Sequence, residues 1–382
     1  MSDPLGYGLL GAGAFGSFCL QQYQSLDTIR PVAVCDTNAA AADELAVKFG
    51  IRAYHDFAAM LADPLVGIVH LATPPFTHAA LVEQAVAAGK HVLCEKPLAL
   101  SPDDGRRMIA AAKAADRVLA VNLIMSYDPL NRVVDAIVKE KLLGDVIAGN
   151  LLNLARDNQL TPTHWFWDQS KSGGIFIEHA VHFFDLFEMW LGPGEVRSAV
   201  KSTRPGNPNV AEQVRCVTEH PTDGGGNVLV EQYHGFHQPQ LLDRQELRLI
   251  CERGDILIRG WLSESIEIDA LLDGPRVARL QELTSGLSTS LSSTAIGENT
   301  ITARHKTWPA DGRYRLTAKL TMDKPTLYGQ VVRDLMADQV AYAADRSHRR
   351  TITEANGLRS LEAAAKAAAL ALVPSPGNSG EG

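Results

Sequence analysis

The sequence predicts an α/β protein in two parts. A doubly wound parallel-sheet domain comes first, and an α+β domain with a large, open, mainly antiparallel sheet follows. Three observations predict this. Strand-like apolar runs alternate with breaker-free helical stretches from Leu5 to about residue 124, the rhythm of βαβ units. A glycine-rich turn, Gly11-Ala12-Gly13-Ala14-Phe15-Gly16, joins the first run to the first helix. After Asn122 strand-like runs come at wider spacing, two of them separated by Gly224-Gly225-Gly226, a hairpin signal.

In chain order, Leu5–Leu10 is the first strand, and Phe18–Tyr23 continues the helix after the glycines. Gly11 allows the tight turn, Gly13 lets backbone approach a pyrophosphate, and Gly16 lets helix and strand pack closely. The helix start, at Ala14 and Phe15, offers free N–H groups and a positive dipole end to phosphates. Pro31–Cys35 is the second strand and ends in Asp36, about 20 residues past Gly16 as a dinucleotide-binding turn requires. A carboxylate there accepts hydrogen bonds from ribose hydroxyls and repels a 2′-phosphate. Thr37 and Asn38 follow with no arginine, so NAD is expected over NADP. The competing reading makes Asp36 the cap of a helix over Ala39–Phe49.

Gly67–Leu71 is the third long strand and ends at Thr73 and Pro74, with Thr77 placed to cap the helix that begins at His78. His91–Cys94 is a short strand ending in Glu95-Lys96-Pro97, and Ser101-Pro102-Asp103-Asp104 opens another helix with a serine cap. Val118–Asn122 is one more strand. Ligands of open parallel sheets sit beyond the strand ends, which puts Thr73, Pro74, Glu95, Lys96 and Asn122 at the expected cofactor crevice. His78 lies near it.

In the second part, Pro129–Glu140 is an amphipathic helix. Strands are expected at Val146–Leu154, Glu195–Lys201, Gln213–Glu219, Val228–His234, Gln245–Cys251 and Asp255–Arg259. Leu283–Thr302, rich in Ser, Thr and Gly, is expected to be a mobile loop. Tyr328–Ala344 and Glu354–Leu372 are expected to be helices that finish this domain. The predicted division is 1–124, 125–373 and a disordered tail, 374–382.

The second part also holds the other chemical signal. Gly173-Gly174 precedes a helix carrying Glu178, His182 and Asp185 at i, i+4 and i+7, spacing that shares one face. Polar groups inside an apolar, aromatic helix need partners or a ligand. Satisfied core histidines are one alternative. A metal site from Glu178, His179 and His182 is another, disfavoured because no further ligand cluster accompanies them. Just upstream, Trp165 and Trp167 offer faces to the C–H surface of a sugar ring, and His164, Asp168 and Lys171 can take its hydroxyls. A core role for the two tryptophans competes with that reading.

At 382 residues, 46% hydrophobic and 21% charged, the chain is long enough for two domains and has ample core material. A formal charge of −8 and a pI near 5.8 argue against a broad nucleic-acid footprint. No basic segment precedes an apolar run at the start, so no signal peptide is expected, and no uncharged apolar run reaches membrane-spanning length. Five scattered cysteines without a CxxC pair suit the cytoplasm and argue against structural zinc. Neither nucleic acid, membrane nor metal is therefore expected as a partner.

The glycine turn, the acidic end of the second strand, Thr73-Pro74-Pro75-Phe76-Thr77-His78 and above all Glu95-Lys96-Pro97 resemble the glucose-fructose oxidoreductase and inositol dehydrogenase family (Gfo/Idh/MocA-type oxidoreductases) over nearly the whole chain. The resemblance implies that Lys96 is the family's active-site lysine, beside the nicotinamide and a substrate hydroxyl. It also implies that His182 is the catalytic histidine, with Glu178 where aspartate is usual. Ser126 stands where many relatives carry arginine. An open sheet face that joins subunits is implied too, hence a homodimer or homotetramer.

The activity so implied is NAD-dependent oxidation of a secondary alcohol on a sugar, polyol or glycoside, with Lys96, His182 and Glu178 catalytic. A redox-neutral NAD-dependent glycosidase and a non-catalytic sugar or nucleotide sensor are the alternatives.

Overall fold

The structure is a computed structural model that describes residues 3–157 and 160–371, the side chain of residue 208 excepted. The tail expected at 374–382 lies outside the described residues.

The chain forms two compact units, neither of them contiguous in sequence. One comprises Met1–Tyr127, Asp168–Asp185 and Tyr328–Ala365; the other comprises Asp128–Trp167, Leu186–Leu327 and the residues from Lys366.

The first unit is built on six parallel strands: β1 (Leu5–Leu10), β2 (Ile29–Cys35), β3 (Arg52–Tyr54), β4 (Ile68–Leu71), β5 (His91–Cys94) and β6 (Leu119–Val121). Their order in the sheet is β3-β2-β1-β4-β5-β6, so the strand order reverses between β1 and β4, where doubly wound sheets open their ligand crevice. The strands are apolar because both faces are covered: Leu9, Val34, Val69 and Leu93 are fully buried. Helices α1 (Ala14–Tyr23), α2 (Ala39–Phe49), α3 (Phe57–Ala62), α4 (His78–Ala87) and α5 (Pro102–Ala114) connect them. Ser101 caps α5 as expected, accepting from the Asp104 N–H at 3.1 Å. Thr77 does not cap α4; its hydroxyl donates to the Pro74 carbonyl at 2.7 Å. β3 and α3 escaped the sequence reading, since a three-residue edge strand carries no periodicity to detect.

Residues 328–365, read from sequence as completing the second domain, pack in this first unit. Tyr328 stacks on Phe15 and Phe18 with ring centroids 5.9 and 5.1 Å apart, and the Tyr127 hydroxyl donates to Asp338 at 2.5 Å.

The second unit begins with helix α6 (Pro129–Lys139) and holds a nine-stranded sheet. Its strands are β7 (Val146–Arg156), β8 (Glu195–Arg204), β9 (Asn207–Pro221), β10 (Asn227–Gln238), β11 (Arg244–Cys251), β12 (Gly254–Arg259), β13 (Ser265–Leu272), β14 (Ser288–Ala295) and β17 (Gly312–Lys319), while β15 (Thr300–Ala303) and β16 (Lys306–Pro309) pair with each other. All neighbours in the large sheet are antiparallel except β7 and β10. The expected loop at 283–302 is overturned: it contains β14 and the start of β15. Every residue of β14 is exposed, so no apolar alternation marks it, and pairing with β17 alone defines it. Among the described residues no helix is long and apolar enough to cross a membrane.

Candidate active site

The crevice of the first unit is a cavity of about 660 Å³ lined by Gly11 and Gly13, by Asp36 and Thr37, by His55 to Phe57, and by Thr73, Pro74 and Thr77 among others. Gly11 has φ +104, and a Cβ there would lie 2.3 Å from the Ala72 carbonyl oxygen. Only glycine fits that turn. A Cβ on Gly13, in contrast, would meet nothing within 4 Å of protein. Gly13 occupies the N-cap of α1 without a side-chain cap, so the first N–H groups of the helix at Ala14 and Phe15 face open space. An open cradle at a helix N-terminus fits a pyrophosphate.

Asp36 is tied into this turn. Its Oδ2 accepts from the Ala12 N–H and its Oδ1 from the Asn38 N–H, both at 2.7 Å. It is not the cap of α2; Asn38 is, accepting from Ala41 at 3.4 Å. Each carboxylate oxygen retains a second lone pair, so these bonds orient Asp36 without preventing it from accepting ribose hydroxyls. Among the described residues lining the cavity there is no lysine or arginine. The residues present therefore fit NAD.

At the ends of β5 and β6 the polar groups form a network the sequence did not reveal. Glu95 Oε1 accepts from Asn122 Nδ2 at 2.7 Å and lies 2.8 Å from His70 Nε2. A carboxylate on Nε2 makes that nitrogen the donor and leaves Nδ1 to accept from the Tyr7 hydroxyl at 3.1 Å. His70 and Tyr7 are wholly buried. Glu95 and Asn122 are thus held from beneath, and neither is among the described residues that line the cavity.

His78 is also fully buried. Its Nδ1 lies 2.8 Å from the Pro97 carbonyl oxygen and its Nε2 2.9 Å from that of Thr73, so the ring joins the segment after β4 to the segment after β5. Burial holds its pKa below the ordinary value. Both ring nitrogens face main-chain carbonyls, to one of which a neutral ring donates, and His78 sits between the segments that follow β4 and β5. The Lys96–Pro97 peptide bond is cis.

Lys96 meets the second motif inside the same unit. Its Nζ donates to Glu178 Oε1 at 2.5 Å and to the Glu178 main-chain carbonyl at 2.9 Å. The helix expected to run regularly after the glycine pair opens instead with a π turn over Phe176–Ala180 before α8 (Val181–Leu191). Gly173 and Gly174, at φ +77 and +82, turn the chain into it. A π turn is one residue wider than an α turn and recurs at functional sites. Its widened ladder is where Lys96 reaches a main-chain oxygen. Glu178 and His182 are both buried. Burial, and secondly the positive charge of Lys96, hold the His182 imidazole well below its ordinary pKa. His179 stacks edge-on against His182, with centroids 6.5 Å apart.

Asp185 accepts from Asn356 Nδ2 at 3.0 Å and from the Ser126 hydroxyl at 3.3 Å. It is a buried acceptor fixing α8 to its neighbours, and Ser126 is one of its donors.

Of the upstream residues, Asp168 caps the short helix α7 (Gln169–Ser172), accepting from the Ser170 N–H at 3.0 Å, and pairs with exposed Lys171 at 3.2 Å. In the second unit Trp167 is buried; its indole N–H donates to the Leu160 carbonyl at 3.3 Å, and the Arg204 guanidinium lies 4.7 Å from its ring centroid. These contacts are those of a core residue. Trp165 is half-buried against the His164 ring, with centroids 5.2 Å apart. Among the described residues no group of three or more His, Cys, Asp or Glu is placed to hold a metal ion.

Comparison with known proteins gives the family. The oxidoreductase family with an NAD-binding Rossmann fold matches residues 5–123, and the GFO/IDH/MocA C-terminal domain matches residues 131–257. Inositol 2-dehydrogenase of Rhizobium meliloti is 30% identical over 49% of this chain and 54% of its own length. Levoglucosan dehydrogenase of Pseudarthrobacter phenanthrenivorans is 27% identical over 62% of this chain and 60% of its own. The chain therefore spans little more than half the length of the curated relatives it matches. A solved structure of levoglucosan dehydrogenase in complex with NADH and levoglucosan shares the fold, with a TM-score of 0.72 at 21% identity over 96% of this chain and 97% of that one. With both domain descriptions matched in order over more than half of its length, this chain belongs to the Gfo/Idh/MocA family of NAD-binding oxidoreductases.

Proposed function

We propose that the protein catalyses the reversible, NAD-dependent oxidation of a secondary alcohol on a sugar, polyol or glycoside, with Lys96 and His182 at the reacting oxygen. The observation that carries this reading is the buried cluster of Lys96, Glu178 and His182 within one unit. NAD, when bound, supplies the hydride acceptor. The protein has to remove a proton from the hydroxyl and stabilise the oxygen as charge develops.

His182 is suited to the first task. An imidazole held below its ordinary pKa is neutral at neutral pH and ready to accept a proton. Lys96 is suited to the second, because Glu178 fixes its ammonium by two acceptors and leaves a third N–H to donate to the substrate oxygen. Glu178 is thus a positioning residue for Lys96. The large sheet carries exposed Val200, Leu229 and Ile250, which strand register puts on one face. That patch supports a homodimer or homotetramer, and light scattering showing only monomer at micromolar concentration would count against it.

The test is incubation with NAD and a panel of sugars, polyols, sugar acids and glycosides, following both NADH and product structure. Lys96→Ala and His182→Ala are expected to lower turnover on the order of 100-fold or more while NAD still binds. Wild-type turnover in either variant overturns the assignment. Glycoside cleavage that requires NAD but accumulates no NADH would select the redox-neutral reaction instead.

A further inference from the structure

Beyond Asp36, a second carboxylate stands at the same end of the cavity. β2 and β3 are parallel neighbours with Cys35 opposite Tyr54, and the Asp36 N–H donates to the Tyr54 carbonyl at 3.3 Å. The residues that follow the two strands, Asp36 and Thr37 on one side and His55 and Asp56 on the other, therefore form one rim, and all four line the cavity. Asp56 is the cap of α3, its Oδ2 accepting from the Ala59 N–H at 2.9 Å. It is exposed and lines the cavity. The Cys35 thiol lining the same wall registers both charges: burial first, then Asp56, then Asp36 push it up to about 11. His55, the cationisable side chain on this rim, is engaged by Asp43 at 2.8 Å.

A ribose hydroxyl can be accepted by one carboxylate, and Asp36 is oriented for that by the glycine turn. A 2′-phosphate brings about two negative charges to the same place, and there it would meet Asp36 and Asp56 together with no lysine or arginine among the described lining residues. We propose that Asp56 is a second specificity-determining residue of the cofactor site, excluding NADP by charge while contributing little to NAD affinity. This rests on the NAD-binding reading of the crevice and is independent of which sugar is oxidised.

Cofactor affinity measured without any sugar tests it. Asp56→Ser removes the charge and keeps a good helix cap, so the fold is preserved; Asp56→Asn serves the same purpose if the serine variant is unstable. Either is expected to tighten the Kd for NADP about tenfold and to change the Kd for NAD by less than about threefold. The gain is expected to shrink in 0.5 M salt, as an effect between solvent-exposed charges must. An NADP Kd unchanged in both variants, or equal tightening of NAD and NADP, overturns the proposal. Failure of the wild-type protein to bind NAD would instead overturn the reading on which it rests.

Discussion

Lys96 Nζ is held by a single residue through two different oxygens, the Glu178 carboxylate at 2.5 Å and the Glu178 main-chain carbonyl at 2.9 Å. The ammonium is therefore aimed by the π turn itself, with the carboxylate in support. Lys96 and Glu178 are largely buried, and removing one partner of such a pair leaves a charge without its counter-charge.

Glu178→Ala is accordingly expected to destabilise the protein by about 3 kcal/mol and to lower turnover at least tenfold. Lys96→Met in that background is expected to add less destabilisation than Lys96→Met alone. Urea unfolding of the two single variants and the double variant checks this. Strict additivity would mean that the pair carries no coupling.

The His182 imidazole is neutral across the ordinary histidine range because burial and the Lys96 charge both oppose its protonation. Oxidation activity is therefore expected to stay level as pH falls through about 6.5, and to be lost only well below it, as His182 takes up a proton. Lys96→Met removes one of the two causes and is expected to move the His182 titration upward. Nitrogen-15 NMR of the imidazole reads the shift directly, and an unmoved titration would sever the link between the two groups.

His91 links pH to stability. Its Nδ1 accepts from the Val118 N–H at 3.0 Å, a bond that a protonated ring cannot make. Burial, then Arg117 and Arg346, hold its pKa down to about 4, against a smaller opposite effect of Asp116. Because the folded pKa is depressed, the unfolded chain binds the extra proton first, and stability falls as pH drops below about 6.5. Between pH 7 and pH 5 this histidine alone is expected to account for about 2 kcal/mol of lost stability. His91→Asn keeps an acceptor without titrating, and its unfolding free energy is expected to depend on pH correspondingly less.

Two glycines of one motif are expected to fail differently. Gly11→Ala forces a Cβ against the Ala72 carbonyl at positive φ, so it should lower Tm. Gly13→Ala meets no protein atom and should leave Tm within about 1 °C of wild type, which for a chain of this size is under about 1 kcal/mol. It is nevertheless expected to weaken NAD binding at least tenfold, because the methyl group fills the cradle. Isothermal titration alongside thermal unfolding separates the two effects.

Much of the first unit was legible because its signals are local. A glycine turn, a serine cap at Ser101 and an acidic strand end each announce themselves within a few residues. In the second sheet the sequence marked β7 to β12; β13 and β17 escaped it although one face of each is buried, and β14 escaped it because neither of its faces is. Asp36 could be placed at a strand end from the sequence, but not its bond to Ala12, which is made across 24 positions. Nothing in the text linked His70 to Glu95, or Asp56 to the rim beside Asp36. Those pairings depend on strand order, and β3 was too short to announce the strand that supplies Asp56.

The chain's own order of residues determined which groups stand at strand ends and where the backbone must turn, and its family resemblance marked Lys96 and His182 as the groups proposed for acid-base work. Packing decided that 168–185 and 328–365 join the first compact unit, that the helix of the second motif begins with a π turn, and that Glu178 grips Lys96 with a main-chain oxygen as well as a side-chain one. The physical reason is range. Turn and cap preferences act over four or five neighbouring residues, whereas a buried charge finds its partner wherever the fold brings an acceptor, here 82 positions away.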